Sequence, residues 1–163
     1  MDHLWTPWRS SYVSKSTPPG QCIFCAAVAG CNDEENLLLC RAKHNFVILN
    51  RFPYSSGHLM IAPNIHASRL NQTSIETTDE MMRLARSAET ILQDVYRPHG
   101  INLGMNLGEA AGAGIAGHIH LHVLPRWTGD ANFMTVVGGT RVMPESLEDS
   151  YSKLKGPFQN LQI

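Results

Sequence analysis

The chain has 163 residues and a formal net charge of −1, and 43% of its residues are hydrophobic and 17% charged. This length and composition predict one globular domain with a sizeable core and exclude a disordered chain. The near-neutral charge argues against a nucleic-acid-binding protein, and no apolar run approaches the ~20 residues of a membrane helix. A small phosphorylated ligand needs only local hydrogen-bond donors, so it stays compatible with this composition.

Residues 1–21 are rich in Ser, Pro and aromatic residues, and they predict an arm that precedes a domain over residues 22–163. The first residues, MDHLWTPWRSSYV, lack the apolar segment of a secretory signal peptide. We therefore expect a cytoplasmic protein whose cysteines stay reduced. These cysteines are Cys22, Cys25, Cys31 and Cys40.

The segment CIFC, residues 22–25, has the CxxC spacing that suits two ligands of a tetrahedral zinc ion. Two ligands do not complete a site, so buried free thiols and a redox pair are alternatives. Of the three interpretations we favour zinc.

Two short apolar segments, NFVILN (45–50) and GHLMIAP (57–63), flank the turn-forming sequence RFPYSS. They predict two neighbouring antiparallel strands. This is the first β-hairpin that the sequence indicates.

The segment from Thr77 to Gly100 predicts the main helix of the fold. Thr77 and Glu80 have the spacing of a capping box, and Pro98 and Gly100 end the helical pattern. Apolar residues recur at helical spacing and form one inward-facing stripe. The stripe contains Leu84, Ala85, Ala88, Ile91, Leu92 and Val95.

The following segments, INLGMNL (101–107) and HIHLHVLPR (118–126), predict two strands around the glycine-rich loop GEAAGAGIAG (108–117). GDANFMTVVGGTRV (129–142) predicts a further strand and a turn at Gly138–Gly139. The whole pattern indicates an α+β fold with a mostly antiparallel sheet and one main helix.

GHIHLHVLPRW, residues 117–127, places His118, His120 and His122 at alternate positions. Alternate residues of a strand share a face, so the three imidazoles would line one surface. Such a row suits an inert polar face, a metal site, or covalent catalysis by a neutral imidazole that attacks phosphorus. A hydrolytic metal site would need a carboxylate base, for which only Glu109 and Asp130 are near in sequence. A nucleophile would need one ring nitrogen fixed by a hydrogen bond and donors aimed at the phosphate.

GHIHLHVLPR resembles the signature of the histidine triad (HIT) family, and NRFPYSSGHLMIAPNIH is similar to the strand–turn–strand segment of that family. LWTPWR, RPHGINLGMNLG and PRWTGDANFMTVVGGTRVMP resemble a bacterial branch associated with diadenosine tetraphosphate phosphorylase activity. The resemblance implies a HIT-like fold with a C-terminal extension, and a homodimer whose sheet continues across two subunits.

Carried onto this chain, the resemblance makes His120 the nucleophile and His122 and His58 its phosphate-side partners. Other positions are implied to contact the nucleotide, with Asn50 a ribose contact. Where many relatives have Gln followed by Ser or Thr, this chain has Gly114 and Ile115. Backbone groups or Asn132 would then replace the missing side-chain donors. The implied nucleotide-binding residues are Asn50, Asn106, Gly112, Gly114 and Asn132.

Zinc-bearing relatives also resemble this chain around its CxxC pair. They imply a structural zinc ion bound by Cys22, Cys25, His66 and His118. The first histidine of the row would then orient the segment that carries His120.

The implied substrate is an adenine nucleotide or dinucleoside polyphosphate. His120 attacks an α-phosphorus, and inorganic phosphate or water then opens the nucleotidyl-histidine. We favour phosphorolysis of diadenosine tetraphosphate to ADP and ATP. The alternatives are a dinucleoside polyphosphate hydrolase, a nucleoside phosphoramidase and a non-catalytic nucleotide-binding module. Arg126 and Trp127 are candidates for phosphate or base contact, or for an interface.

Overall fold

The structure is a computed structural model that describes residues 22–131, 133–139 and 142–161. The predicted arm (1–21) and Asn132 lie outside the described residues. The described part of the chain contains five strands: β1 (Leu38–Arg41), β2 (Asn45–Leu49), β3 (Leu59–Pro63), β4 (Gly100–Met105) and β5 (Leu121–Arg126). Its four α-helices are α1 (Ile23–Ala29), α2 (Ile75–Tyr96), α3 (Phe133–Gly138) and α4 (Leu147–Gln159). None of them is long and apolar enough to cross a membrane.

The five strands form one antiparallel sheet in the order β1-β2-β3-β5-β4. Every residue of β2 and β3 is buried, because these strands lie inside the sheet and helices cover both faces. Met60 of β3 pairs with His122 of β5, which places the histidine segment beside the predicted hairpin. The predicted α+β fold with a mostly antiparallel sheet is confirmed.

Helix α2 covers one face of the sheet with the stripe that the sequence predicts. Leu84, Ala88 and Leu92 are fully buried against strand residues that include Leu59 and Val123. Val95, the last residue of the stripe, is only partly buried. Helix α4, which the sequence did not predict, packs against the same core through Leu154 and Phe158.

The predicted N-cap of α2, Thr77, is wrong by three residues. Ser74 is the N-cap, and its hydroxyl accepts a hydrogen bond from the Thr77 backbone N–H. Glu80 is buried and accepts from the backbone N–H of His44 and from the Asn45 side chain, so it serves the core and not a capping box. Ser74 and Thr77 are both residues that suit an N-cap, and the helix begins directly after Ser74.

Two further predictions need correction. Residues 133–138 form the helix α3 and not a strand, because a short apolar run without alternation does not distinguish the two structures. The strand predicted from His118 begins only at Leu121, so the first two histidines of the row precede it. Gly139 follows α3 with φ of +59°, a conformation that favours glycine at a helix end.

Helix α1 covers the opposite face of the sheet and brings the CxxC segment to the histidines. Phe24 packs with Phe46 and Met60 in a second hydrophobic cluster. Its ring centroid lies 5.2 Å from that of His118 and 5.0 Å from that of His120. The helix therefore fixes the metal-ligand and nucleophile segments against one apolar side chain.

Replacing Leu84 by Ala is expected to lower the free energy of unfolding by about 2–5 kcal/mol, because the side chain is 0% exposed and leaves a cavity in the core. Urea denaturation monitored by circular dichroism measures this change. Met82→Ala is the matched control on the same helix, since Met82 is 61% exposed. Equal losses for the two variants would contradict the observed packing of α2.

Candidate active site and metal centre

His120 is held in a single tautomer by a backbone carbonyl. Its Nδ1 lies 2.9 Å from the carbonyl oxygen of His118. A carbonyl oxygen can only accept, so Nδ1 carries the proton and Nε2 keeps its lone pair. Burial lowers the pKa of His120 below its ordinary value, because the side chain is only 4% exposed. The ring is therefore neutral near pH 7, with one unprotonated nitrogen.

His58 and His122 form a hydrogen-bonded pair beside His120. Nε2 of His58 lies 2.9 Å from Nδ1 of His122. The Tyr54 backbone N–H donates to Nδ1 of His58 at 3.1 Å, so the His58 proton must lie on Nε2. Nε2–H of His58 therefore donates to Nδ1 of His122, and the proton of neutral His122 lies on its Nε2.

Both members of this pair are neutral over the physiological pH range. Burial, followed by the effects of His122 and His120, lowers the pKa of His58 to about 3. Burial and then His120 lower the pKa of His122 to about 4. The ring centroids of His120 and His122 are 4.8 Å apart. His120 therefore presents a lone pair and His122 presents an N–H donor, and the two rings are uncharged neighbours.

Asn50, predicted to contact a ribose, has both ends of its side-chain amide hydrogen-bonded within the protein. Its Nδ2 lies 3.3 Å from Nδ1 of His58, and its Oδ1 accepts from the Phe52 backbone N–H at 3.0 Å. This bonding depends on the conformation of the turn after β2 and could not be predicted from residue spacing.

The glycine-rich loop brings two predicted nucleotide-binding residues together. Asn106 donates from Nδ2 to the carbonyl oxygen of Gly112 at 3.3 Å. Gly112 has φ of +87°, a conformation that few residues with side chains adopt. Gly114 is exposed, whereas Ile115 packs against the hydrophobic cluster around Phe24. Backbone conformation and not lack of space therefore favours glycine at position 112.

The four predicted metal ligands lie in one cluster, and their ligand atoms are all within 4.8 Å of one another. Nδ1 of His118 lies 3.3 Å from Sγ of Cys22 and 3.6 Å from Sγ of Cys25. Sγ of Cys25 lies 3.4 Å from Nδ1 of His66. A tetrahedral zinc ion holds S and N ligands about 3.6 Å apart, so the spacing and the donor set fit zinc.

His118 connects this cluster to the nucleophile segment. Its Nε2–H donates to the carbonyl oxygen of Pro63 at 2.9 Å, which leaves Nδ1 unprotonated and directed at the two cysteines. Its own carbonyl oxygen accepts from His120. One residue therefore links the metal-ligand cluster and the His120 ring.

Of the remaining candidates, Arg126 lies in an ion pair and Trp127 lines a cavity. Arg126 donates from Nε to Asp130 at 2.6 Å and from Nη1 to Asn102 at 2.7 Å, so part of its guanidinium is bonded within the protein. Trp127 packs edge-on against Tyr96 and lines a cavity of about 440 Å³. Tyr54, which sequence reasoning treated only as a turn residue, lines the same cavity and packs 4.8 Å from the His58 ring.

The sequence from residue 33 to 129 matches the HIT domain, which is more than half of the chain. The chain belongs to the histidine triad (HIT) family. This confirms the predicted family, and the chain is an enzyme of it. It is 38% identical over 159 residues to an AP-4-A phosphorylase from Mycobacterium tuberculosis, covering 92% of this chain and 80% of the relative.

Two solved HIT structures resemble the fold. A Zn-bound histidine triad family protein from Mycobacterium smegmatis has a TM-score of 0.69 and 28% identity, over 85% of this chain and 94% of the other. A histidine triad nucleotide-binding protein from Sulfolobus tokodaii has a TM-score of 0.67 at 22% identity, over 85% and 93% of the two chains. The zinc-bound HIT protein, together with the Cys–His cluster, confirms the predicted zinc cofactor.

Proposed function

We propose that this HIT enzyme transfers a nucleotidyl group from a dinucleoside polyphosphate through His120. Nε2 of His120 attacks the α-phosphorus, a P–N bond forms, and the bond to the bridging oxygen breaks as the remaining polyphosphate leaves with the electron pair. The observation that carries this proposal is the Nδ1–H bond to the His118 carbonyl, which leaves Nε2 as a neutral lone pair in a buried ring.

In this proposal His122 and His58 stabilise the reacting phosphate. The Nε2–H of His122 donates to a phosphate oxygen, and His58 holds His122 in the required tautomer through the 2.9 Å bond between their rings. Because both pKa values lie far below 7, these residues act as neutral donors and do not supply positive charge.

We assign nucleotide contact to the loop between β4 and β5. Asn106, Gly112 and Gly114 are the proposed contacts, and the Asn106–Gly112 hydrogen bond orders this loop before any substrate binds. Asn132 stays a proposed phosphate donor. The cavity lined by Trp127 and Tyr54 lies beside the His58 ring and offers space for part of a large substrate.

The substrate and acceptor that we favour are diadenosine tetraphosphate and inorganic phosphate, with ADP and ATP as products. The similarity to the Mycobacterium tuberculosis AP-4-A phosphorylase supports this assignment. A phosphate oxygen attacks the phosphorus of the nucleotidyl-histidine, the P–N bond breaks, and Nε2 regains its lone pair. Hydrolysis of the same substrate or cleavage of a nucleoside phosphoramidate would use the same histidine.

Chromatography of the products from diadenosine tetraphosphate tests this choice. With inorganic phosphate we expect ADP and ATP in equal amounts, and without it a rate at least about tenfold lower, because water is then the only acceptor. A rate and an ADP yield that do not depend on phosphate would exclude phosphorolysis. Formation of AMP and ATP at the same rate in both buffers would instead support the hydrolase.

The proposal includes zinc bound by Cys22, Cys25, His66 and His118, which would hold the His118 segment in place without taking part in the chemistry. It also includes a homodimer and a cytoplasmic location. Strand β4 pairs only with β5 within the described residues, so its outer edge is available to a second subunit. None of the four cysteines, all of which lie among the described residues, is in a disulfide, which suits a reducing compartment.

A further inference from the structure

Backbone hydrogen bonds within the turn from β2 to β3 bring Asn50 and His58 together. The Asn50 backbone N–H donates to the carbonyl oxygen of His58 at 2.9 Å, and the His58 N–H donates to that of Ser55 at 3.2 Å. Within this turn Gly57 has φ of +73°, and a Cβ there would meet the Tyr96 ring at 2.7 Å. The turn is therefore tightly packed, and the two side chains keep a fixed relation.

The orientation of the Asn50 amide follows from its second partner. The Phe52 backbone N–H can only donate, so the atom that it bonds must be Oδ1. Nδ2, the donor end of the amide, then faces Nδ1 of His58. The Tyr54 backbone N–H donates to the same nitrogen. Two donors therefore converge on Nδ1 of His58, and both exclude a proton from it.

We propose that Asn50 is a positioning residue that, with the Tyr54 peptide, fixes the tautomer of His58 and thereby determines which nitrogen of His122 offers a proton to the substrate. The inference rests on the proposed function of the histidine site, but the tautomers themselves are a property of the free protein. It differs from the ribose contact implied by the sequence, in which the Asn50 amide would bond the nucleotide.

If Asn50 acts in this way, the direction of the bond between His58 and His122 depends on the bond between Asn50 and His58. With an amide donor at Asn50, Nε2–H of His58 donates to His122 and the His122 proton lies on Nε2. A carboxylate at this position would keep the bond from Phe52 but present an acceptor to His58. A proton drawn to Nδ1 of His58 by the carboxylate would displace the bond from the Tyr54 N–H. Nε2 of His58 could then accept from Nδ1–H of His122, and His122 would lose its outward donor.

The substitution Asn50→Asp tests this directly, because the side chains have the same shape and differ in one donor. Nitrogen-15 correlation spectra of the histidine rings report which nitrogen is protonated. In the free wild-type protein we expect His58 and His122 protonated on Nε2, and His120 on Nδ1. In Asn50→Asp we expect the His58 signals to change to an Nδ1-protonated form and those of His122 to follow. Asn50→Ala removes one of the two donors and keeps that of Tyr54, so we expect an Nδ1-protonated form of His58 to appear beside the wild-type form.

Kinetics with diadenosine tetraphosphate and its 2′-deoxy analogue complete the test. For Asn50→Asp we expect kcat to fall about tenfold or more with KM changed less than about threefold, by the same factor for both substrates. Asn50→Ala should lose less. Asn71→Asp, the same charge change at an exposed residue outside the site, should leave both constants unchanged.

A raised KM that disappears with the 2′-deoxy analogue, together with unchanged histidine tautomers, would overturn the proposal and restore the ribose contact. Unchanged tautomers with unchanged kinetics would overturn it as well. If the wild-type protein cleaved neither substrate, the function proposed above would fail, whereas the spectra of the free protein would still decide the role of Asn50. If Asn50→Asp does not fold, Asn50→Ala decides: a new Nδ1-protonated form of His58 supports the proposal, and tautomers identical to those of the wild type contradict it.

Discussion

Replacing His120 by asparagine is expected to lower kcat at least about 10³-fold while substrate affinity changes little, because the nucleophile is removed and the binding groups are kept. The asparagine amide can still donate to the His118 carbonyl, as Nδ1–H of His120 does, but it has no lone pair comparable to Nε2. Single-turnover kinetics and equilibrium binding of a non-cleavable substrate analogue measure the two effects separately. Intact-protein mass spectrometry of quenched reactions should detect one added nucleotide on the wild type and none on the variant.

His44→Asn is the matched control for this experiment. The side chain of His44 lies outside the histidine cluster, and its backbone donates to Glu80 and accepts from the Asn64 N–H. We expect wild-type turnover and a normal adduct from this variant. Turnover by His120→Asn at the wild-type rate, or an adduct that forms in this variant, would exclude His120 as the nucleophile. The other histidines of the row would then be the candidates.

Replacing Cys25 by serine is expected to abolish stoichiometric zinc binding and to lower the melting temperature by roughly 6–16 °C. A metal ion at 100 to 1,000 times its Kd stabilises the folded state by about 3–4 kcal/mol, and a protein of this size loses about 2–4 °C per kcal/mol. Cys25 faces both histidine ligands, so its sulfur is central to the cluster. Atomic absorption of protein purified without added zinc and differential scanning calorimetry measure the two quantities.

The same variant should also lose about 10- to 100-fold in activity, because groups that orient functional residues around a metal have effects of this size. Without the metal, His118 loses its Nδ1 partner, and the carbonyl that holds His120 is less constrained. Cys31→Ser is the control, since Cys31 is exposed and outside the cluster. Wild-type zinc content in Cys25→Ser, or equal losses of stability in both variants, would contradict the proposed ligand set.

Strong local patterns allowed much of the fold to be predicted. The CxxC pair and the apolar stripe on α2 each repeat one class of residue at a spacing that a single structure explains, whereas only His122 of the histidine row lies in strand β5. The family signature added His66 to the cluster, and the structure brings all four ligands together. Prediction failed where the pattern was short. The sequence of residues 133–138 is compatible with a strand and with a helix, and only tertiary packing decides between them.

The hydrogen-bond directions within the site could not be predicted from the sequence. Whether Asn50 meets a ribose or His58 depends on the backbone path of the turn, which brings the Phe52 and Tyr54 peptides to the two side chains. Similarly, the bonding of Arg126 to Asp130 and Asn102 follows from strand register and a loop, not from residue type. Composition and spacing identify which groups are available, and the fold determines how they are directed.

The opposite tautomers of the neutral His120 and His122 rings affect how the site would bind and release a highly charged substrate. The three rings at this site are uncharged near pH 7, so they would bind a polyphosphate through directed N–H groups and not through a positive field. Bonds of this kind weaken little as ionic strength rises and do not retain an anionic product by long-range attraction. Such a centre would release one nucleotide and admit the next acceptor even at high ionic strength.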